Sequence, residues 1–244
     1  MHSTGSPKRY AFCRPVNAAL GAMTTDQQNC DDSLQLIQNY LDDFNNSLNP
    51  TVYAGSYTLK SKLPWKADSI RELLFHRVTD IANSALGLVQ NNSRVPAVML
   101  VRSLMETTAM VYSLHLKTNT FLSDSNEIDF DDFLMKALLG SRDETTDITS
   151  VNILTMIDKV NREFDGFRAM YDGLCEYTHP NWRGVMLSYS QIDRDNFTTH
   201  LGPVPTEPAS GVLLGPFVAS LSIFKDVYDQ TGNEIEEINK RFEN

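Results

Sequence analysis

The 244-residue chain has few metal-binding side chains, and they are not grouped. Its three cysteines, at positions 13, 30 and 175, form no CxxC pair, and its five histidines stand singly along the sequence. Protein zinc sites draw such ligands from short, regular spacings. The sequence therefore predicts no metal site, and this cysteine usage favours a reducing, cytoplasmic compartment.

Basic residues and long apolar runs are scarce as well. The chain carries 21 Lys and Arg against 31 Asp and Glu, a net charge of -10. Such a field repels phosphate backbones, which disfavours a general nucleic-acid binder. Because no apolar run approaches the roughly 20 residues that cross a bilayer, we expect a soluble protein with no membrane association.

Familiar catalytic and cofactor motifs are missing. The sequence contains no GxGxxG, GxxxxGK[ST], HExxH or GxSxG. These absences argue against nucleotide-dependent oxidoreductases, P-loop proteins, zinc peptidases of the HExxH type and α/β-hydrolases. No cofactor is expected.

The first 22 residues differ in composition from the rest. They hold three basic residues and no acidic one, whereas the remainder holds 18 basic and 31 acidic residues. They also lack the apolar core of about 7 to 15 residues that marks a secretory signal. We expect residues 1–22 to lie outside the fold, as a disordered tail or, the reading we favour, as a non-native extension ahead of a start at Met23. Residues 23–244 are expected to form one domain.

Helical periodicity dominates what remains. Apolar residues recur every three or four positions in seven segments, at 26–46, 66–90, 98–122, 129–139, 148–164, 167–178 and 212–242. Strand-like runs at 185–192 and 197–201 are separated by four polar residues, which is typical of a hairpin. The sequence thus predicts an all-α fold, a single helical-bundle domain with a small β-hairpin insertion near residues 185–201.

Two charged residues stand out in the helix predicted over 98–122. With residues placed 100° apart from Val98, the apolar stripe is centred near 0°, Arg102 falls at about 40° and Glu106 at about 80°. Arg102 should therefore point into the apolar face beside Glu106, its i, i+4 partner. We expect the two to be mostly buried and bonded to each other or to the helix that carries His179. The pair either fixes helix register or lines a ligand site.

A second polar group follows at the end of the helix predicted over 167–178. His179 occupies a helix C-terminus, where free carbonyl groups favour the imidazolium form. A lone terminal histidine usually serves as a cap, but Asn181, Trp182 and Arg183 follow it directly. We expect His179 to lie near the level of Arg102, under partial cover from the hairpin. The candidate ligand-binding residues are Arg102, Glu106, Tyr171, His179 and Asn181.

Two segments carry a family resemblance: RSLMETTAMVYSLHL at 102–116 and YDGLCEYTHPNWRGV at 171–185. They resemble uncharacterised bacterial families of the HEPN-like helical-bundle superfamily, which pair an R-[ST]-L-x-E helix with a later Y-x-x-L-[SC]-E-Y-x-H-P element. The resemblance covers about residues 66–192. It implies a four- or five-helix up-and-down bundle, a homodimer, and a role in bacterial stress or anti-phage defence.

Many members of that superfamily resemble metal-independent ribonucleases, in which an Arg precedes a His by four to six residues on a late helix. This sequence departs from that pattern, because Arg168, the nearest upstream arginine on the late helix, is too far from His179. The spacing does occur from Arg71 to His76, but that match is expected by chance and lies near the start of the bundle.

Three functions stay open at this point. The first is a binding module in which Arg102 and its neighbours hold a nucleotide-like or other small anionic ligand. The second is a metal-independent endoribonuclease acting on RNA, with His179 or His76 as general acid or base and Arg102 or Arg71 stabilising the phosphate. The third is a non-catalytic interaction subunit with an architectural Arg–Glu pair. The net charge counts against the second.

Overall fold

The computed structural model describes residues 22–143, 145–204 and 212–243, with side chains from residue 29 onwards. Ala22, the last residue of the segment expected to lie outside the fold, is described as part of a helix. The rest of that segment, residues 1–21, lies outside the described residues.

Helices form most of the described chain. They are α1 (Ala22–Ser47), α2 (Leu63–Gln90), α3 (Arg94–Asp124), α4 (Glu127–Leu139), α5 (Ile153–Glu163), α6 (Phe167–Thr178), α7 (Leu187–Tyr189) and α8 (Leu214–Glu243). A 3-10 turn at Ala54–Ser56 precedes α2, and a π-helical turn at Trp182–Met186 precedes α7. The strands β1 (Ser190–Asp193) and β2 (Thr198–Leu201) pair in antiparallel fashion. The all-α helical bundle with a small β-hairpin is confirmed.

Asparagine side chains set the starts of two helices. The Oδ1 of Asn126 accepts a hydrogen bond from the Asp129 amide at 3.2 Å and begins α4. The Oδ1 of Asn152 accepts from the Leu154 amide at 2.9 Å and begins α5. Each satisfies an amide that the first helical turn leaves unpaired. This cap explains why α5 begins at Ile153 and not at residue 148 as predicted.

The strand prediction for 185–192 is wrong in its first half, because residues 182–189 form helical turns. Gly184 explains the difference. A Cβ on Gly184 would lie 2.0 Å from the carbonyl oxygen of His179 and 2.8 Å from that of Tyr177. Only glycine lets this turn pack against the end of α6, so a close backbone approach overrides the alternating side-chain pattern.

The centre of the bundle is α3, which packs against α2, α5, α6 and α8. Its buried residues occupy most of its circumference, and Met99, 46% exposed, marks the outer strip. The main core surrounds α3, and a smaller aromatic cluster containing Phe121, Phe130 and Phe133 closes the end of the bundle where α3 ends. Within the described ranges, no helix is long and apolar enough to cross a membrane.

Candidate functional site

Arg102 and Glu106 of α3 meet the buried Tyr171 of α6, and we call these three residues the tyrosine-bridged pair. The Nη2 of Arg102 lies 3.2 Å from the Oε1 of Glu106. The Tyr171 hydroxyl accepts from Arg102 Nε and Nη2 at 3.2 and 3.0 Å, and it donates to Glu106 Oε1 at 2.7 Å. One hydroxyl thus links both charges and joins α3 to α6.

The predicted bonds form, between Arg102 and Glu106 and from both to α6, the helix that His179 follows, while the burial of the two side chains is partial. The side chain of Arg102 is 36% exposed and that of Glu106 is 28% exposed. Burial is partial because α3 is open to solvent along the strip that Met99 marks at about 100°, and Glu106 at about 80° lies within that strip while Arg102 at about 40° lies at its border. Arg102 lies at the margin of the core and does not point into it.

The electrostatics of this group favour a fixed charge state. Burial and the hydrogen bond to Glu106 raise the pKa of Tyr171 to about 12. Burial works to lower the pKa of Arg102, but the hydrogen bond with Tyr171 and the charge of Glu106 outweigh it and raise that pKa. The guanidinium charge is already balanced by Glu106. The group therefore has little charge left to hold an anion and no proton to exchange near neutral pH.

His179 lies away from Arg102. It directly follows the last residue of α6, it is exposed, and its ring makes no hydrogen bond with any described residue. Eight residues separate it from Tyr171, which corresponds to about 12 Å along a helix. Arg102 contacts Tyr171, and the described side chains give Arg102 and His179 no common partner, so no described contact supports the expected shared pocket.

Asn181 has a local structural task. Its Oδ1 accepts from the amides of Arg183 and Gly184, both at 3.0 Å, and its Nδ2 donates to Glu176 at 3.1 Å. It caps the π-helical turn and so positions Trp182 and Arg183. The structure does not bring it to the tyrosine-bridged pair.

The arginine of α3 that lies near the His179 end of α6 is Arg94, whereas the sequence analysis placed Arg102 there. The guanidinium carbon of Arg94 lies 4.9 Å from the ring centroid of Tyr177, and Nη2 donates to the Tyr177 hydroxyl at 3.2 Å. Arg183 approaches the same ring, at 6.0 Å. We call Arg94, Tyr177 and Arg183 the arginine–tyrosine cluster.

This cluster differs from the tyrosine-bridged pair in its charge balance. Neither Arg94 nor Arg183 forms an ion pair with a carboxylate of the described chain. Glu176, on the last turn of α6, is bonded to Asn181. The indole of Trp182, 60% exposed, stands beside Arg183 in the chain. Two guanidinium groups without carboxylate partners in the described chain therefore approach one tyrosine ring, and an exposed indole adjoins one of them in the sequence.

A sequence signal for Arg94 existed. Counted from Val98, Arg94 falls at about 320°, inside the predicted apolar stripe of α3. The level of each arginine could not be predicted in the same way. Arg94 meets Tyr177 and Arg102 meets Tyr171, so α3 and α6 run antiparallel, with an offset that only their packing fixes.

The structure does not bring together the side chains of Arg71 and His76, which the sequence offered as the alternative Arg–His pair. Arg71 is bonded on the inner side of α2, where its Nη2 donates to Glu72 at 2.7 Å and to the Tyr228 hydroxyl at 3.2 Å. His76 is exposed, and its Nε2 lies 2.8 Å from the carbonyl oxygen of Asn49. The five-residue offset places the two side chains about 140° apart around α2, and here they have no partner in common.

No group of three or more His, Cys, Asp or Glu side chains in the part of the chain that the structure describes is arranged to hold a metal ion. Comparison of the chain with protein-family models, with curated proteins and with solved structures finds no match. The HEPN-like resemblance thus stays an expectation, and function must be argued from the geometry.

Proposed function

We propose that the protein is a binding module for a nucleotide-like ligand, one that combines a phosphate with a planar base, held at the arginine–tyrosine cluster. The observation that carries this proposal is the placement of two guanidinium groups without ion-pair partners in the described chain, Arg94 and Arg183, against the ring of Tyr177. A guanidinium fork binds phosphate oxygens in pairs, and hydrogen bonds to charged groups are about twice as strong as neutral ones.

The side chains around the cluster suit the other half of such a ligand. The indole of Trp182 is 60% exposed and adjoins Arg183 in the chain. Stacking of a base on an aromatic side chain contributes about 1 to 3 kcal/mol and tolerates any base. The exposed ring of His179 offers a further hydrogen-bonding group. We therefore expect recognition of phosphate and ring shape, with little discrimination between bases.

The total charge sets the character of binding. A chain of net charge -10 repels polyanions at a distance, so affinity must come from the local cluster. This favours a mononucleotide or a short single strand over long duplexes. Binding should weaken steeply as salt rises.

Cleavage of RNA is less well supported by the geometry. Among the described residues none hydrogen-bonds the ring of His179 to fix its orientation, and Arg102 is held by Glu106 and Tyr171 at another level of α6. A general acid or base needs a defined position relative to the group that it protonates. Binding without chemistry is the function that the arrangement favours.

Binding of a fluorescein-labelled ten-nucleotide oligouridine, followed by fluorescence anisotropy, tests the proposal. Arg94→Gln combined with Arg183→Gln should weaken binding by about a hundredfold or more, because two charge-assisted hydrogen bonds, each of about 1.5 to 3 kcal/mol, are removed. Arg162→Gln is the matched control, since Arg162 is an exposed arginine in the last turn of α5. Equal affinities of the double variant and the control, or no binding by the wild type, would overturn the proposal.

Competition and product analysis sharpen the result. Uridine monophosphate should displace the oligouridine far better than inorganic phosphate does, since only the former can stack on Trp182. The same mixtures are run on a denaturing gel. If the wild type cleaves oligouridine and His179→Ala does not, the protein is a ribonuclease and the proposal of binding without chemistry is overturned.

A further inference from the structure

The hairpin is amphipathic, with its apolar face in solvent. We define the hairpin arm as residues 187–201, which comprise α7, β1, the connecting turn and β2. In its register Ser190 pairs with Leu201 and Ile192 with Thr199. Ile192 and Leu201 consequently share one face of the ribbon, since side chains alternate along a strand. The opposite face carries only polar residues, namely Gln191, Asp193, Thr198 and His200.

The apolar face has no cover from the described part of the bundle. Leu201 is 83% exposed and Ile192 is 59% exposed. A two-stranded hairpin is marginally stable by itself in water and usually gains its stability by packing an apolar face on something else. Contiguous exposed apolar surface on a soluble domain marks an interaction site.

Phe197, in the turn of the hairpin arm, adds an independent observation. Its side chain is 97% exposed, and its backbone φ is 50°. A bulky residue rarely adopts this left-handed conformation, which Gly or Asn would occupy at lower cost. Strain kept at an exposed aromatic residue points to a role for the ring in binding.

We propose that the hairpin arm is a dimerisation surface and that its occupant is the arm of a second copy of this chain, packed apolar face to apolar face about a two-fold axis. A two-fold interface uses one patch twice, so the patch must complement itself. The face that carries Ile192 and Leu201, with the small polar side chains of Ser190 and Thr199 between them, can meet a second copy of itself in this way. This inference does not depend on the ligand proposed for the arginine–tyrosine cluster.

The available area matches what such a dimer needs. The five large apolar side chains of the arm are between 38% and 97% exposed; they are Leu187, Tyr189, Ile192, Phe197 and Leu201. At about 200 Å² for a fully exposed large side chain, they present together about 600 Å² per arm, from Ile192 and Leu201 on the ribbon face and from the other three on α7 and the turn. Two arms would bury about 1,200 Å², the lower end of the range for specific interfaces.

Sedimentation velocity of the full chain between about 1 and 100 µM provides the test, with the 27.5 kDa chain mass as the monomer reference. The wild type should approach twice this mass as concentration rises. The variant Ile192→Thr, Phe197→Asn, Leu201→Thr should self-associate at least about tenfold more weakly. Asn keeps the left-handed backbone at position 197. Gln191→Thr with His200→Thr, on the polar face, is the control and should dimerise as the wild type does.

A wild type that stays at monomer mass over the whole range overturns the proposal, and so does a triple variant that dimerises as the wild type does. Hydrogen exchange on the wild type guards against a variant that merely loses its hairpin. Amides of residues 190–201 should exchange more slowly at 100 µM than at 1 µM. Unchanged exchange in a sample that dimerises would place the interface elsewhere and contradict the assignment.

Discussion

Two glutamates show how burial decides what an ion pair contributes. Glu72 is 4% exposed and accepts hydrogen bonds from Arg71 and Tyr228, at 2.7 and 2.6 Å. Glu106 is 28% exposed and shares the Tyr171 hydroxyl with Arg102. A tyrosine hydroxyl bridges the arginine and the glutamate at both sites, but Glu72 is far more buried and also accepts a hydrogen bond from Asn49 at 3.3 Å.

Glu72→Gln should destabilise the protein by about 2 kcal/mol, because it removes a buried charge-assisted hydrogen bond while Asp68, 3.0 Å from Arg71, still pairs with the guanidinium. Glu106→Gln should cost about 1 kcal/mol, since water can replace the lost charge at a half-exposed arginine. Urea unfolding of both variants and of the wild type measures the two losses. Equal losses would show that Glu106 is as inaccessible as Glu72.

The pKa of Tyr171 gives a pH dependence with a definite sign. An unfolded tyrosine has a pKa near 10, while burial and Glu106 raise the pKa of Tyr171 to about 12 in the folded protein. A group whose pKa is raised on folding contributes stability that is complete below pH 10 and is lost as pH rises towards 12.

Tyr171→Phe should therefore be less stable than the wild type by about 1 to 2 kcal/mol at pH 8. This difference should shrink between pH 10 and pH 12. Burial also raises the pKa values of Tyr57 and Tyr228, and both proteins share that part of the alkaline loss. Denaturant unfolding at several pH values measures the difference, and a gap that stays constant to pH 12 would mean that Tyr171 is not shifted.

At the scale of elements, the turn after α6 depends on one glycine. Gly184→Ala would place a methyl group against the carbonyl oxygens of His179 and Tyr177. Since backbone atoms must move to relieve this contact, we expect a loss of about 2 to 3 kcal/mol. Oligouridine affinity should fall as well, because the displaced turn carries Trp182 and Arg183.

Gly173→Ala is the control for this change. A Cβ at Gly173, inside α6, meets no atom within 4 Å. Alanine there should raise the free energy of unfolding by about 0.5 to 1 kcal/mol through its helix propensity and leave oligouridine binding unchanged. A neutral Gly184→Ala would contradict the close approach that ends α6.

The elements also show what a single sequence can predict. Side-chain periodicity predicted a helix over 167–178, which is the range of α6, and a helix over 66–90, which overlaps α2 nearly throughout. Periodicity is local, and a helix records it in every turn. It carries no information on the axial offset between α3 and α6, which decides which arginine meets which tyrosine. For that reason the prediction grouped Arg102 with His179, although Arg94 is the arginine at that end.

Across the whole molecule, the two ends of the bundle differ. The end where α3 ends is closed by the aromatic cluster containing Phe121, Phe130 and Phe133. At the end where α3 begins, Arg94 lies against Tyr177 on the last turn of α6, and the chain leaves α6 for the hairpin arm. Both proposed interactions arise there, one from charge and one from apolar surface. The central feature of this end is that an acidic chain places two arginines, Arg94 and Arg183, near the ring of Tyr177.

The salt dependence of oligouridine binding tests that feature most directly. For a single strand, each phosphate contact contributes about 0.7 to the slope of log affinity against log salt concentration. Arg94→Gln with Arg183→Gln should lower the magnitude of the slope by about 1.4 relative to the wild type, whereas Arg162→Gln should retain the wild-type slope. If the double variant gives a line parallel to that of the wild type, Arg94 and Arg183 do not contact phosphate and the account is contradicted.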